Sequence, residues 1–178
     1  MISSDIQTVI ESNYLRNEFE LLIQKATADR AFCMALWDVA KQHKGQKIWR
    51  YLWMIDRATE RNPQWIEPIV EEVYQLLLHT KNESVIRHTM KLILRCKLKE
   101  EHMTELLDKC IVWMNNPAAK ISSQVLGLEY FWRVCKLYPE MNQELLSLVE
   151  HILERGEVSA GYKNRLRKIH ERLSISQN

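Results

Sequence analysis

Arginines are the most regularly spaced residues in this sequence that could do chemistry. Arg57, Arg95 and Arg133, here called the arginine row, follow one another at intervals of 38 residues. A guanidinium presents its N–H donors in a planar fork that matches a carboxylate or a phosphate, so the row could bind an acidic peptide or a phosphate backbone. The interpretation that we favour is structural, because arginines near helix C-termini favour the helix dipole and cover apolar surface.

Two tryptophans stand close to the first of these arginines. Trp49 and Trp53 are four residues apart, which places them one turn apart on the same face of a helix. An exposed tryptophan is a preferred anchor in protein interfaces, so the pair could hold a partner. The rings could also pack against the helices that precede residue 28, and this is the interpretation that we favour.

Residue types that catalyse reactions show no recognisable arrangement. The six histidines are scattered and form no HExxH motif, and the sequence contains neither a glycine-rich phosphate loop nor a GxSxG motif. Adjacent carboxylates such as Glu71 and Glu72 point to different sides of a helix and cannot act on one substrate. We therefore expect no catalytic residues and no cofactor, and we favour a protein that is not an enzyme.

The four cysteines predict neither a metal site nor a disulfide framework. Cys33, Cys96, Cys110 and Cys135 form no CxxC pair and share no zinc-ligand spacing with the histidines. They are typical of reduced, buried thiols in a cytoplasmic protein. The opening residues, MISSDIQTVIES, lack the basic and apolar regions of a signal peptide. No apolar run approaches the roughly 20 residues of a membrane span, so we expect no contact with a membrane.

The composition is that of a globular, helical domain. Hydrophobic residues make up 46% of the 178 residues, and only four glycines and four prolines are present. So few turn-forming residues disfavour a β protein. The net charge of +2 gives no global signal for binding to nucleic acid or a membrane surface, so any basic patch must be local.

The elements that would carry these residues repeat every 38 residues. Leu52, Met90, Leu128 and Leu166 are separated by that interval. A second apolar set keeps the same interval: Ile55, Ile93, Phe131 and Ile169. Within each copy the apolar residues are spaced by 3, 4 and 7, which is the helical period. We predict helices over 5–12, 14–25, 28–41, 46–60, 63–79, 84–97, 101–115, 119–136, 139–155 and 159–173.

Several residues mark the ends of these helices. Gly45 separates the first pair, and Asn62 is the predicted N-cap of a helix that starts with Pro63. Asn82 or Ser84 is expected to cap the helix that follows.

Residues 65–94, WIEPIVEEVYQLLLHTKNESVIRHTMKLIL, resemble a HEAT unit. Such a unit has a first helix with an internal proline, here Pro68, then a short polar turn, then a second helix that opens Val-x-Arg, here at residues 85–87. The resemblance covers roughly residues 27–173, as four helix pairs. It departs from the family at Lys81-Asn82, where the turn often has an aspartate.

The resemblance implies the architecture of the whole chain. We expect an all-α fold, a right-handed α-α superhelix of antiparallel helix pairs, as one solenoid domain over residues 1–178. Residues 1–26 would form N-terminal capping helices, 27–173 the four pairs and 174–178 a disordered tail. Leu107 and Leu128 should be buried between successive pairs. The residues at one position of the repeat become smaller along the chain, from Tyr51 to Thr89 to Gly127. A small residue is expected where helices approach closely.

In HEAT solenoids the second helices of the pairs form an inner, concave wall. On these helices, the face opposite the core carries the arginine row, with Lys91 and Arg167 beside it. Nearby carboxylates could neutralise part of this charge: Asp56, Glu60 and Glu129. The candidate binding residues are therefore Trp49, Trp53, Arg57, Lys91, Arg95, Arg133 and Arg167.

The leading functional hypothesis is a non-enzymatic scaffold that holds a protein segment or acidic peptide on its concave wall. The alternative is a nucleic-acid-binding protein similar to the HEAT-like alkylpurine DNA glycosylases, which use a basic concave wall with tryptophans and an acidic residue. Trp49, Trp53, Asp56 and Arg57 loosely resemble such a wall. A lyase of the fumarase–aspartase type would also be all-helical, but its Gly-Ser-Ser-x-Met-Pro loop is absent and the chain is too short.

Overall fold

The computed structural model of the protein describes residues 4–12, 16–43 and 45–175, without the side chains of Asp5 and Arg16. These residues form ten α-helices and no β-strand, which confirms the predicted all-α fold. The helices are α1 (Ser4–Glu11), α2 (Arg16–Ala28), α3 (Arg30–Gln42), α4 (Ile48–Thr59), α5 (Val70–His79), α6 (Glu83–Ile93), α7 (Glu100–Asn115), α8 (Ile121–Leu137), α9 (Asn142–Arg155) and α10 (Ala160–Ile175).

The chain divides into two compact units, Met1–Lys97 and Leu98–Asn178. In the first unit α3 packs against α4 and α5 against α6, while α2 packs on α4 and α4 packs on α6. In the second unit α7 packs against α8 and α9 against α10, while α8 also contacts α10. Within each unit, therefore, the second helix of one pair lies against the second helix of the next.

The predicted helix over 63–79 is interrupted. It begins as two 3-10 helices, Pro63–Trp65 and Glu67–Ile69, and becomes α-helical only at Val70. Pro68 lacks an N–H and restricts the backbone of the residue before it, so an α-helix cannot pass through this position without loss. The predicted N-cap Asn62 is wrong in one respect, since its side chain makes no capping hydrogen bond.

Other helix ends follow the sequence more closely. The Asn82 side chain accepts hydrogen bonds from the backbone N–H groups of Ser84 and Val85, at 3.0 and 3.3 Å, and so caps α6. Helix α10 includes Ser174 and Ile175, which had been predicted to belong to a disordered tail. Residues 176–178 of that tail lie outside the described residues, as do residues 1–3 and 13–15 near the predicted capping helices.

The apolar positions of the sequence repeat are buried. Leu52, Met90, Leu128 and Leu166 are at most 3% exposed, and Leu107 is 8% exposed, as predicted for residues that lie between helices. At Gly127 a Cβ atom would lie 3.2 Å from the carbonyl oxygen of Cys110, so α8 approaches α7 closely there. None of the helices described is both long enough and apolar enough to cross a bilayer.

Candidate binding site around Asp56

Asp56 lies on the buried face of α4 and is the centre of the candidate site. It follows Ile55 and stands one turn after Leu52, so the helical period turns its side chain toward the core. The residue is fully buried. An aspartate is almost never fully buried unless its charge is paired, so the neighbouring helix must supply the partners.

Three side chains from α6 and the turn that follows it surround this carboxylate. His88 Nδ1 lies 2.9 Å from Oδ2, Lys91 Nζ lies 3.2 Å from the same oxygen, and Arg95 Nη2 lies 2.5 Å from Oδ1. Residues at positions i, i+3 and i+7 share one face of a helix, and α6 packs on α4 with this face. We call Asp56, His88, Lys91 and Arg95 the Asp56 cluster.

Arg95 also closes the C-terminal end of α4. Its Nη1 donates to the carbonyl oxygen of Asp56 at 2.9 Å and to Oγ1 of Thr59 at 3.1 Å. The last four carbonyls of a helix have no donor within the helix, and Asp56 carries one of them. One guanidinium therefore binds both the side chain and the main chain of Asp56, which fixes Arg95 in a single geometry.

The hydrogen-bond pattern determines which nitrogen of His88 carries a proton. The ionised Asp56 carboxylate can only accept, so Nδ1 of His88 donates to it. Arg87 Nη2 lies 3.2 Å from Nε2, and a guanidinium can only donate, so Nε2 accepts. The imidazole thus connects the Arg87 guanidinium to the buried carboxylate through its Nδ1–H tautomer.

The cluster keeps Asp56 ionised. Burial acts to raise the pKa of Asp56, but the hydrogen bond from His88 and the charges and hydrogen bond of Arg95 and Lys91 outweigh it. The pKa of Asp56 therefore lies below its ordinary value of 3.8. One carboxylate faces two permanent cations, which leaves an excess of positive charge. The side chains of Lys91 and Arg95 are 41% and 20% exposed, so this charge reaches solvent mainly through Lys91.

The other members of the arginine row have different surroundings. Arg57 turns away from Asp56, and its Nη1 binds Glu60 at 2.9 and 3.1 Å, with half of its side chain exposed. Glu60 is thus the carboxylate that neutralises Arg57, as the sequence allowed. Arg133 is half-buried on α8, and Arg167 is exposed on α10 in the same unit.

The two tryptophans are half-buried on α4, and the ring of Trp53 packs against α2. The Trp53 and Phe19 ring centroids are 5.7 Å apart. The Arg50 guanidinium lies 5.8 Å from the Phe19 ring and 5.6 Å from the Trp49 ring. For Trp53 the structure agrees with the second interpretation, in which the ring packs against a helix before residue 28.

Sequence reasoning did not identify the role of Asp56 or His88. It placed Asp56 beside Arg57 as a possible neutralising charge, whereas the carboxylate points to residues 32 to 39 positions later in the chain. A signal was present, because a charged residue one turn after Leu52 and next to Ile55 falls within the apolar stripe of α4. Such a residue requires a partner on the next second helix.

The geometry gives the cluster no catalytic role. Both oxygens of Asp56 are occupied, and the carboxylate is closed to solvent, so it cannot reach a substrate. Across the part of the chain that the structure describes, no three His, Cys, Asp or Glu residues are grouped as metal ligands. What the arrangement can do is hold two cations rigidly at a surface.

Comparison with known proteins identifies the family. A family model described as a HEAT repeat domain matches residues 6–173, which extend from α1 into α10. Neither the curated proteins nor the solved structures gave a match. The matched residues include α1 and α2, which the sequence had assigned to a cap. Since the match covers nearly the whole chain, the protein belongs to the HEAT repeat family.

Proposed function

We propose that the protein is a non-enzymatic interaction module whose helices α4 and α6 present a rigid cationic surface to an acidic segment of a partner protein. The observation that carries the proposal is the Asp56 cluster, in which a buried carboxylate holds Lys91 and Arg95 in place. Binding an anion there costs little side-chain entropy, because the cations are already ordered. The Lys91 ammonium uses one donor on Asp56 and is 41% exposed, so further donors can reach a ligand.

The proposal includes the architecture expected of the family. We propose that the second helices form the binding wall of each unit, α4 and α6 in the first and α8 and α10 in the second, in keeping with the 38-residue interval of the sequence. Support comes from the packing of α4 on α6 in the first unit and of α8 on α10 in the second. Stacked repeats of this kind provide extended concave binding surfaces. The four cysteines are buried and none of them forms a disulfide within the described residues, which supports a cytoplasmic location.

The glycosylase-like alternative finds less support in the geometry. Such an enzyme needs an acidic residue that its substrate can reach, and Asp56 is fully buried with both oxygens bound. Trp53, which would contact nucleic acid in that alternative, contacts Phe19 instead. Binding to DNA is the outcome by which the experiment would distinguish this alternative.

The test compares Lys91→Glu with Lys81→Glu. Both variants reverse one lysine of the first unit and change the net charge equally, but Lys81 is exposed and lies outside the cluster. The probes are a fluorescent glutamate-rich peptide and a fluorescent DNA duplex, followed by anisotropy at two salt concentrations. We expect the wild type to bind the peptide, Lys91→Glu to weaken it at least about tenfold, and Lys81→Glu to bind like the wild type.

Three results would contradict the proposal. Failure of the wild type to bind the peptide would remove the acidic partner. If Lys91→Glu and Lys81→Glu weakened peptide binding equally, the attraction would depend on the net charge of the protein and not on the Asp56 cluster. Preferential binding of the duplex, falling steeply with salt, would favour the nucleic-acid alternative.

A further inference from the structure

The second unit contains a groove of about 410 Å³ that the Asp56 cluster does not involve. It lies between α7 and the segment formed by the 3-10 helix Pro139–Met141 and α9, with the end of α8 at its base. Its floor is apolar and comes from α7, the end of α8 and the 3-10 helix: Met103, Leu107, Ile111, Val134 and Met141. A volume of this size lies in the range of pockets that hold small ligands or a few side chains.

The rim of this groove is acidic. It carries four carboxylates, from Glu100, Asp108, Glu140 and Glu144, and no lysine or arginine lines it. Within the described residues none of the four forms an ion pair. Glu100 accepts a hydrogen bond from the Tyr138 hydroxyl at 3.3 Å, which neutralises no charge. The rim therefore presents four exposed carboxylates that form no ion pair within the described residues and that a basic ligand could neutralise.

The rim carboxylates contribute to raised pKa values of two nearby groups, the Tyr138 hydroxyl and the Cys135 thiol. The charge of Glu100 raises the pKa of Tyr138 above its ordinary value, together with burial, the hydrogen bond and the charge of Glu140. Burial, followed by the charge of Glu144, raises the pKa of Cys135 to about 12. The rim carboxylates thus act on Tyr138, which lines the groove, and on Cys135, which follows the lining residue Val134.

We propose that this groove binds a basic segment of a partner protein, with one apolar side chain on the methionine-lined floor and flanking lysines or arginines paired with the rim carboxylates. Met103 and Met141 suit such a floor, because the flexible, polarisable thioether adapts to different apolar side chains. An apolar anchor supplies most of the binding energy at an interface, and charge complementarity selects the partner and its orientation. The preferred ligand has the opposite charge to the one proposed for the Asp56 cluster, so each proposal can fail alone.

The test uses the whole protein with methionine methyl groups labelled with ¹³C. The probe is the peptide Lys-Lys-Leu-Lys-Lys, with Lys-Lys-Ser-Lys-Lys and Glu-Glu-Leu-Glu-Glu as its controls. We expect the leucine–lysine peptide to shift the methyl signals of Met103 and Met141 and to leave those of the buried Met54 and Met90 in place. The serine peptide should bind at least about fivefold more weakly because it lacks the apolar anchor, and the glutamate peptide should not shift these signals.

Two double variants test whether the rim carboxylates attract the lysine side chains of the peptide. Glu140→Gln with Glu144→Gln removes two rim charges, whereas Glu101→Gln with Glu105→Gln removes two exposed charges of α7 that do not line the groove. We expect the first double variant to weaken the lysine peptide about tenfold and the second to weaken it less than about twofold. Both double variants keep apolar contacts and should fold, which their circular dichroism and methyl spectra would verify.

Several results would overturn the inference. They are the absence of binding by the leucine–lysine peptide, binding without shifts at Met103 and Met141, and equal weakening by the two double variants. Sedimentation that shows the wild type forming a dimer, which the Glu140→Gln and Glu144→Gln variant cannot form, would assign the groove to a second copy of the chain. The probe is cationic, so its failure leaves the proposal for an acidic partner at the Asp56 cluster unaffected.

Discussion

At the scale of single residues, the contact between α4 and α6 depends on one buried charge. Asp56 binds His88, Lys91 and Arg95 at once, and it does so from a position closed to water. A buried carboxylate is costly to desolvate, so the attraction of its partners must offset that cost. Removing the carboxylate would leave two ordered cations facing each other without compensation.

We therefore expect Asp56→Asn to lower the free energy of unfolding by about 2–3 kcal/mol. This is less than the range for a fully buried pair, because the Lys91 side chain keeps 41% of its surface in water. Denaturant melts would measure the loss. The matched control is Asp38→Asn, which removes an exposed carboxylate that pairs with Lys41 and should cost less than about 0.5 kcal/mol. Equal losses in the two variants would show that the Asp56 cluster adds little stability.

The same residue predicts a dependence of stability on pH. The pKa of Asp56 is lower in the folded protein than in the unfolded chain, where it is near 3.8, so the unfolded state binds more protons between the two values. The contribution of the ionised Asp56 to stability is thus complete above the pKa of the unfolded chain. It is lost as the pH falls through the pKa of the folded protein. The difference in unfolding free energy between wild type and Asp56→Asn should be constant above about pH 5 and shrink toward pH 3. Paired urea melts at several pH values would check this, and a constant difference down to pH 3 would contradict it.

At the scale of elements, short polar segments decide where the helices begin. Asn82 caps α6 through two backbone N–H groups, whereas Asn62 precedes a 3-10 helix and makes no side-chain cap bond. The two asparagines look equivalent in the sequence, since each stands directly before a predicted helix. The proline-rich stretch after Asn62 causes the difference, because it delays the regular helix to Val70.

This difference gives a matched pair of variants. Asn82→Ala should destabilise the protein by about 1 kcal/mol, because two N–H groups at the start of α6 lose their acceptor. Asn62→Ala should change stability by less than about 0.5 kcal/mol, since it removes no capping bond. Thermal melts of both variants would compare them. Similar losses would mean that the asparagines act through something other than capping.

At the scale of the whole molecule, the core consists of apolar residues that recur along the chain. Leu128 is buried on α8, in the helix that packs against both α7 and α10. Because α8 packs against two helices, a side chain on its buried face can contribute to more than one interface.

We expect Leu128→Ala to cost roughly 2–5 kcal/mol, from lost transfer energy and the cavity that remains. Leu137 offers a control on the same helix, because it is 58% exposed. Leu137→Ala should cost less than about 1 kcal/mol. Denaturant melts would compare the two, and a loss below about 1 kcal/mol for Leu128→Ala would contradict the packing of this core.

The sequence by itself determined the helices and the residues that they bury. Apolar residues spaced by 3, 4 and 7 define a helical face locally, so Leu52, Met90, Leu128 and Leu166 could be assigned to the core without a structure. Gly127 could be recognised as a point of close approach, because it occupies the repeat position of Tyr51 and Thr89 and has no side chain. Asn82 marks the start of α6, whereas the interruption before Val70 was not predicted, because the sequence pattern treats Pro68 as an internal residue of one helix.

Only the tertiary structure decided which charges meet. Whether Asp56 binds Arg57 or the α6 side chains depends on how α4 is rotated against α6, and a difference of one residue turns a side chain by about 100°. Trp53 is covered because α2 brings Phe19 against it, which no local pattern states. The acidic groove likewise combines side chains from α7, α8 and α9. Such sites arise where different helices pack together, and packing is settled by the sum of all contacts rather than by any one segment.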